Sequence, residues 1–277
     1  PSGAPDLALI AHADGKPVTA AGVFTSNKMT AAPVQICKEF LLETGGQAAA
    51  VIINSGNANA ATGERGKKDA RTMASLTAEQ IGCRTQEVLV CSTGWIGYPL
   101  PIEKIESSIP NAFESLSSEG GLDAAKAIMT TDTVPKTVEI KKDNFTIGGI
   151  AKGAAMLEPN MATMLAVIAT DAEIDSLSAT GMLQDAVSAS FNCLTVDGAE
   201  STNDTVLLLA SGESGPVDKS ALAESLNEAC KSLAIQMADD AEGSTKTVFL
   251  TVTGAATDEE ALKGARDTAN CQLVKRN

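Results

Sequence analysis

Residues 158–172 read EPNMATMLAVIATDA. Behind the Pro-Asn turn signal, MLAVIATD (164–171) is a continuous apolar run of strand length. A run without polar alternation fits a strand covered on both faces. Two further segments have the same character, AAAVIINS (48–55) and VLVCS (88–92). Thr163 stands where the turn meets the strand. A β-branched residue suits a strand start, so this position needs no chemistry of its own. The other reading gives its hydroxyl a task, and the rest of the chain bears on the choice.

Working outward, DLALIAH (6–12) and PVTAAGVFT (17–25) read as strands around the turn signal ADGK. Residues 64–82 have helical spacing of Ala70, Met73, Leu76 and Ala78, with Gly82 as the stop. Helices are expected near 102–116 and 122–129, and over 177–191, 218–238 and 257–270. TVEI and FTIGGIA form a hairpin pair around KKDN, while DTVLLLAS (204–211) and TKTVFLTVTG (245–254) read as extended. Strands and helices alternate, yet hairpins are present. The predicted fold class is therefore α/β with mixed sheets layered between helices, rather than a parallel doubly wound sheet.

Composition narrows the functions. The 277 residues are 44% hydrophobic but only 3% aromatic, so the core is built from Ala, Val, Leu, Ile and Met. A net charge of −14 argues against nucleic-acid or anionic-membrane partners, which want clustered Lys and Arg. No stretch approaches the ~20 apolar residues of a membrane span. The six cysteines are scattered without CxxC spacing, which reads as a reducing compartment and no structural zinc. The only histidine is His12, so a His-dependent triad has one candidate, and His12 reads as structural or exposed. The chain begins at Pro1 without an initiator Met or a basic amphipathic leader, which fits an expressed or processed fragment.

Three small-residue loops, NSGNANAATG (54–63), STGWIG (92–97) and AKGAAMLEPNMAT (151–163), adjoin these strands. Glycine and small residues let backbone N–H groups approach a ligand, although turns use the same residues. None is a dinucleotide or P-loop motif. With histidine scarce, a threonine nucleophile needs another base. One solution is its own α-amine, which exists only if the preceding peptide bond is cut. An α-amine titrates near ~8 and is partly neutral at physiological pH. On this view the Thr163 hydroxyl attacks the Ala162 carbonyl and leaves an N-terminal threonine.

In order, GVFTSNKMTAAPV, NSGNANAATG, CSTGWIG, IMTTDTVPK, GGIAKGAAMLEPNMATML, SFNCLTVDGAESTNDTV and AEGSTKTV resemble the motifs of the glutamate N-acetyltransferase family. These are the bifunctional ornithine acetyltransferases of arginine biosynthesis, and the resemblance spans nearly the whole chain. It implies the layered fold of that family. It also implies self-cleavage at Ala162–Thr163 into an α chain (1–162) and a β chain (163–277), with Thr163 as nucleophile. Thr93 and Gly94 correspond to the oxyanion pair. Thr130 (with Thr131 as the other choice), Lys152, Thr163 and Glu242 correspond to substrate-binding positions. Ping-pong transfer of acetyl from N-acetylornithine to glutamate follows, without metal or redox cofactor and with acetyl-CoA as a possible further donor. Implied partners are the small-molecule substrates and the two chains of one precursor, assembled as two α and two β. The implied location is the cytoplasm, or a mitochondrial or plastid matrix in a eukaryote.

Some residues depart from the family. The chain ends at TANCQLVKRN, where members continue, so the C-terminal part is expected to be incomplete. Ala199 stands where an acidic residue is expected, and DDAEG stands where Arg-Asp-Gly-Glu-Gly is usual. Two other readings are a self-processing aminopeptidase or amidohydrolase with water as acceptor, and an inactive fragment.

Overall fold

The computed structural model describes residue 3 and residues 5–157 and 164–275. Ala162 and Thr163, the expected cleavage pair, lie outside the described residues. In chain order the strands are β1 (Leu7–Ala11), β2 (Val18–Phe24), β3 (Gln47–Ala48), β4 (Ala50–Asn54), β5 (Val88–Ser92), β6 (Lys136–Lys141), β7 (Thr146–Lys152), β8 (Leu165–Glu173) and β9 (Thr205–Pro216). The helices are α1 (Ala32–Glu43), α2 (Gly63–Ile81), α3 (Ile102–Glu114), α4 (Gly121–Ala127), α5 (Ser176–Ser188), α6 (Lys219–Asp239), α7 (Asp258–Ala269) and α8 (Gln272–Lys275).

Among the described residues the strands form two sheets, ordered β1-β4-β5 and β3-β2-β9-β8-β7-β6. Both are mixed: β4–β5 and β8–β9 are parallel and the other pairs antiparallel. One core cluster joins α1 to α4, the smaller sheet and one face of the larger sheet, the face carrying Ala20, Ile150, Leu165, Val167, Leu207 and Leu209. The alternate residues Ala21, Ile147, Ala166, Ile168, Val206 and Leu208 face a second cluster with α5 and α6. The result is a helix–sheet–sheet–helix stack. β4, β5 and most of β8 are covered on both faces, which is why they carry continuous apolar runs. β6 lies at the sheet edge and alternates, with Thr137, Glu139 and Lys141 outward, a charged pattern that discourages edge-to-edge association.

Register places several strand ends on one rim. Lys152 is opposite Leu165, Leu165 opposite Thr205, and Thr205 opposite Phe24. In the smaller sheet Asn54 is opposite Ser92. The predicted strands at 6–12 and 17–25 exist, but β1 and β2 enter different sheets, so ADGK is a sheet-crossing turn. Gly82 stops α2 as expected, in the left-handed region at φ +84°.

One expectation fails. TKTVFLTVTG (245–254) is not a strand; Val248 and Phe249 are 73% and 71% exposed. A β-prone run needs a sheet to join, and among the described residues this segment pairs with no strand. The C-terminal helix α7 likewise buries no residue.

Leu89 is fully buried and Leu177 is 84% exposed. In urea denaturation Leu89→Ala is expected to lower stability by about 3 kcal/mol. Leu177→Ala should stay within about 0.5 kcal/mol of the parent.

Candidate active site

The three small-residue loops meet at the shared rim. Thr93 N–H donates to Asn54 O (3.0 Å), Trp95 N–H to Gly56 O (3.3 Å) and Ala58 N–H to Trp95 O (3.0 Å). This lacing brings the loops after β4 and β5 together. Asn57 and Asn59 serve it: the Asn57 amide donates to Tyr98 O and Pro99 O, and the Asn59 amide to Gly66 O. The buried Asn203 amide donates to Ala58 O (2.6 Å) and Ser92 O (2.9 Å), fastening the segment before β9 to both loops.

Gly94 is at φ +129°, and a Cβ built there would lie 2.3 Å from Gly56 C. Only glycine fits where the two loops touch. Its neighbours' N–H groups are used in the lacing, but the Gly94 N–H has no partner among the described residues. Beside it, the Lys152 ammonium donates to the buried Thr93 hydroxyl (3.3 Å). An ammonium has no lone pair, so Thr93 Oγ1 is the acceptor and its own proton can point elsewhere. A backbone N–H and a hydroxyl from consecutive residues are what an oxyanion needs.

The charges around this pair are buried. Lys152 is 2% exposed, and burial lowers its pKa. Its 3.8 Å approach to Asp132, with Asp204 and Glu242 further off, opposes that, while Lys136 adds to it. Burial would raise the Asp132 carboxyl, but Lys152, Lys136 and the N–H groups of Gly153 and Thr130 together hold it below its ordinary value. Asp204 behaves oppositely. Burial pushes it well above the usual carboxylate range despite the Met164 N–H, Ser201 and Lys152 beside it. Its Oδ1 accepts from Met164 N–H (3.0 Å), and its buried Oδ2 has no partner among the described residues.

The structure thus gathers Thr93, Gly94 and Lys152, and places Glu242 near them through its N–H bond to Ala154 O (2.7 Å). Thr130 and Thr131 are exposed, and Thr130 reaches the cluster through its N–H, which donates to Asp132 (3.0 Å). His12 does not belong here. β1 and β4 pair antiparallel, with Leu7 opposite Asn54, so His12 follows the other end of β1 and sits 3.5 Å from Glu213. Sequence reasoning missed Asp132, Lys136, Asp204 and Asp240. It also missed that Leu157 and Met164, the described residues flanking 158–163, are each held by an aspartate, Asp197 and Asp204. A usable signal was present: Asp204 stands immediately before the apolar first half of β9. Of the six cysteines, Cys37, Cys91 and Cys230 are buried, Cys83 is half-buried, and Cys193 and Cys271 are exposed. No helix among the described residues is long and apolar enough to cross a membrane.

Two outcomes are expected. Gly94→Ala should lower stability by about 2 kcal/mol or more in thermal melts, because the left-handed backbone and the contact with Gly56 both oppose a Cβ. A carboxyl raised in the folded state favours folding below its unfolded value, near about 3.9, and loses that contribution as pH rises through its folded value. Asp204→Asn keeps an oxygen for Met164 N–H. It should therefore be more stable than the parent at pH 8, with the gain shrinking toward pH 4 in denaturation curves taken across that range.

The chain matches the ArgJ family over residues 2–277. The arginine biosynthesis bifunctional protein ArgJ of Streptomyces coelicolor is 46% identical over 275 residues, covering 99% of this chain and 71% of the relative. That of Mycobacterium leprae is 49% identical over 283 residues, covering 99% of this chain and 69% of the relative. Among solved structures, ornithine acetyltransferase from Mycobacterium tuberculosis in complex with ornithine is 42% identical with a TM-score of 0.54. That alignment covers 57% of this chain and 84% of that one. A Burkholderia β-aminopeptidase matches in fold alone, at 14% identity and TM-score 0.52 over 84% of this chain and 79% of that one. On the strength of the match along its whole length, this chain belongs to the ArgJ family.

Proposed function

We infer that the chain is a glutamate N-acetyltransferase, an acyltransferase of arginine biosynthesis that moves the acetyl group of N-acetylornithine to glutamate. One observation carries the reading. In a chain of the ArgJ family, the Thr93 hydroxyl, the Gly94 N–H (unpartnered among the described residues) and the buried Lys152 meet at the strand end where Met164, the residue after Thr163, is anchored. The ornithine bound to the Mycobacterium tuberculosis relative agrees with an ornithine-derived substrate.

The nucleophile is Thr163, freed by cleavage of Ala162–Thr163. The Thr163 oxygen adds to the Ala162 carbonyl, the peptide C–N bond breaks to free the α-amine and leave an ester, and water hydrolyses that ester to the Ala162 carboxylate and the Thr163 hydroxyl. That amine then takes the hydroxyl proton as Thr163 Oγ1 adds to the acetyl carbonyl of N-acetylornithine. Thr93 and Gly94 hold the oxyanion, each donor worth about 3 kcal/mol. The amide C–N bond breaks, ornithine leaves with the proton, and acetyl-threonine remains. The glutamate amine attacks this ester, giving N-acetylglutamate and restoring the hydroxyl. Lys152, Thr130 and Glu242 bind substrate, with the Glu242 carboxylate suited to an ammonium group. The chemistry asks for no metal or redox group, and acetyl-CoA would enter through the same acetyl-threonine.

Cleavage would leave chains of residues 1–162 and 163–277 with interleaved strands. β8 and β9, from the second, lie between β2 and β7, from the first. A sheet shared in this way keeps them together, and a two-α, two-β assembly in the cytoplasm or an organelle matrix fits this picture.

Intact mass spectrometry of the freshly purified protein under denaturing conditions tests the reading. Two chains are expected, the second beginning at Thr163 and gaining one acetyl group on incubation with N-acetylornithine. Thr163→Ala should stay whole and lose transfer activity by about 10⁴-fold or more. Free acetate without N-acetylglutamate would instead indicate a hydrolase. An uncut, unacetylated parent chain would refute the mechanism.

A further inference from the structure

Lys136 is fully buried, yet it carries a charge and lies on the edge strand β6. Its ammonium donates to Asp132 Oδ1 (2.7 Å) and to Asp240 Oδ2 (2.6 Å). Asp132 in turn accepts from Gly153 N–H at Oδ1 (2.7 Å) and from Thr130 N–H at Oδ2 (3.0 Å). That same Oδ2 lies 3.8 Å from the Lys152 ammonium. Asp240 accepts from the N–H groups of Thr133 (2.9 Å) and Val134 (3.4 Å) and from the Thr133 hydroxyl. Two residues on, Glu242 N–H donates to Ala154 O, next to Gly153. Three distant segments therefore converge on one carboxylate: 130–136 before and into β6, 152–154 at the end of β7, and 240–242 after α6.

We propose that Asp132 is a positioning residue of the site: its two oxygens set Thr130 and Lys152 directly, and set the segment carrying Glu242 through Lys136 and Asp240. The assignment of those three residues to substrate rests on the function inferred above. The network makes sense chemically. A buried ammonium needs a compensating charge to stay protonated and in place. Asp132 supplies it without approaching within hydrogen-bond range, so the donors of Lys152 remain available for Thr93 and for substrate. The titratable groups facing Lys152 are Asp132 and Lys136 of one segment, with Asp204 and Glu242 from two others. Of these, Asp132 exerts the largest upward pull.

The test is Asp132→Asn, which keeps shape and removes charge. The first readout is the ¹⁵N titration of Lys152 Nζ in lysine-labelled protein, its signal assigned with Lys152→Arg. The midpoint should fall in Asp132→Asn relative to the parent. An unchanged midpoint overturns the proposal, whether or not acetyl transfer is detected. Missing transfer in the parent counts against the functional reading alone. The second readout is transfer itself. Asp132→Asn should lose about 100-fold in kcat/KM, the effect of misplacing a binding group by about 1 Å, and the alkaline limb of its pH profile should move to lower pH. Lost folding is separated by Asp132→Asn combined with Lys136→Met, which removes the buried ammonium together with its buried partner and leaves Asp240 its Thr133 and Val134 donors. Recovered melting temperature without recovered transfer supports positioning. Recovery of both overturns it.

Discussion

β8 is hydrogen-bonded along both edges and covered on both faces, and that single constraint organises the molecule. A strand so placed tolerates almost no polar side chains in its middle. β4 and β5 face the same restriction, and the first half of β9 joins them. Polar residues are therefore displaced to strand ends, and the register brings those ends together. Asn54, Ser92 and Thr93 finish β4 and β5; Lys152 finishes β7; Asp204 and Thr205 open β9. All are buried, and they lie along one rim with Met164 among them. The site is where the apolar sheets are compelled to put their polarity.

Burying this many charges opposes folding. Lys136, Lys152, Asp132 and Asp204 are each under 10% exposed, and taking an ion out of water costs several kcal/mol before partners repay it. Apolar replacements of such groups are often neutral or stabilising, so stability alone does not explain their presence. Asp204 is the sharpest case, with one oxygen buried and unpartnered among the described residues. A carboxyl driven toward its neutral form beside the anchored Met164 N–H is a local expense of the kind tolerated where chemistry is done.

The sequence was informative where its physics is local. Continuous apolar runs identified β4, β5 and β8. The helical spacing and Gly82 bounded α2 nearly to the residue, and KKDN marked the β6–β7 hairpin. Motif resemblance located Thr93, Gly94 and Lys152, which the fold does bring together. Nothing local could show that β1 and β2 part into different sheets, because strand partners are chosen by distant residues. The same limit hid Asp132, since a lone aspartate in MTTDTVPK looks like a solvated loop until Lys136 and Gly153 are folded onto it. The failure at 245–254 has the same origin. Its Val, Phe, Leu and Thr have the composition of a strand, but composition describes only half of a pairing, and the described chain offers no second half.

The placement of the only histidine completes the argument about the base. His12 lies past the end of β1 remote from Asn54, next to Glu213. Lys152 stands at the rim with its pKa lowered by burial, an effect the facing carboxylates oppose, and its ammonium is committed to Thr93. Asp204 is driven toward its neutral form by burial. His12 is remote from the rim, and Lys152 and Asp204 are already engaged with Thr93 and Met164. A base generated at the nucleophile itself escapes the difficulty, because an α-amine titrates near ~8 without help from burial or partners. Such a base appears only after a peptide bond is broken, so the fold must hold equally well before and after the break. β8 meets that demand. Its hydrogen bonds run to β7 and β9 and begin at Met164, past the proposed cleavage bond, so strand pairing does not rely on chain continuity between Ala162 and Thr163.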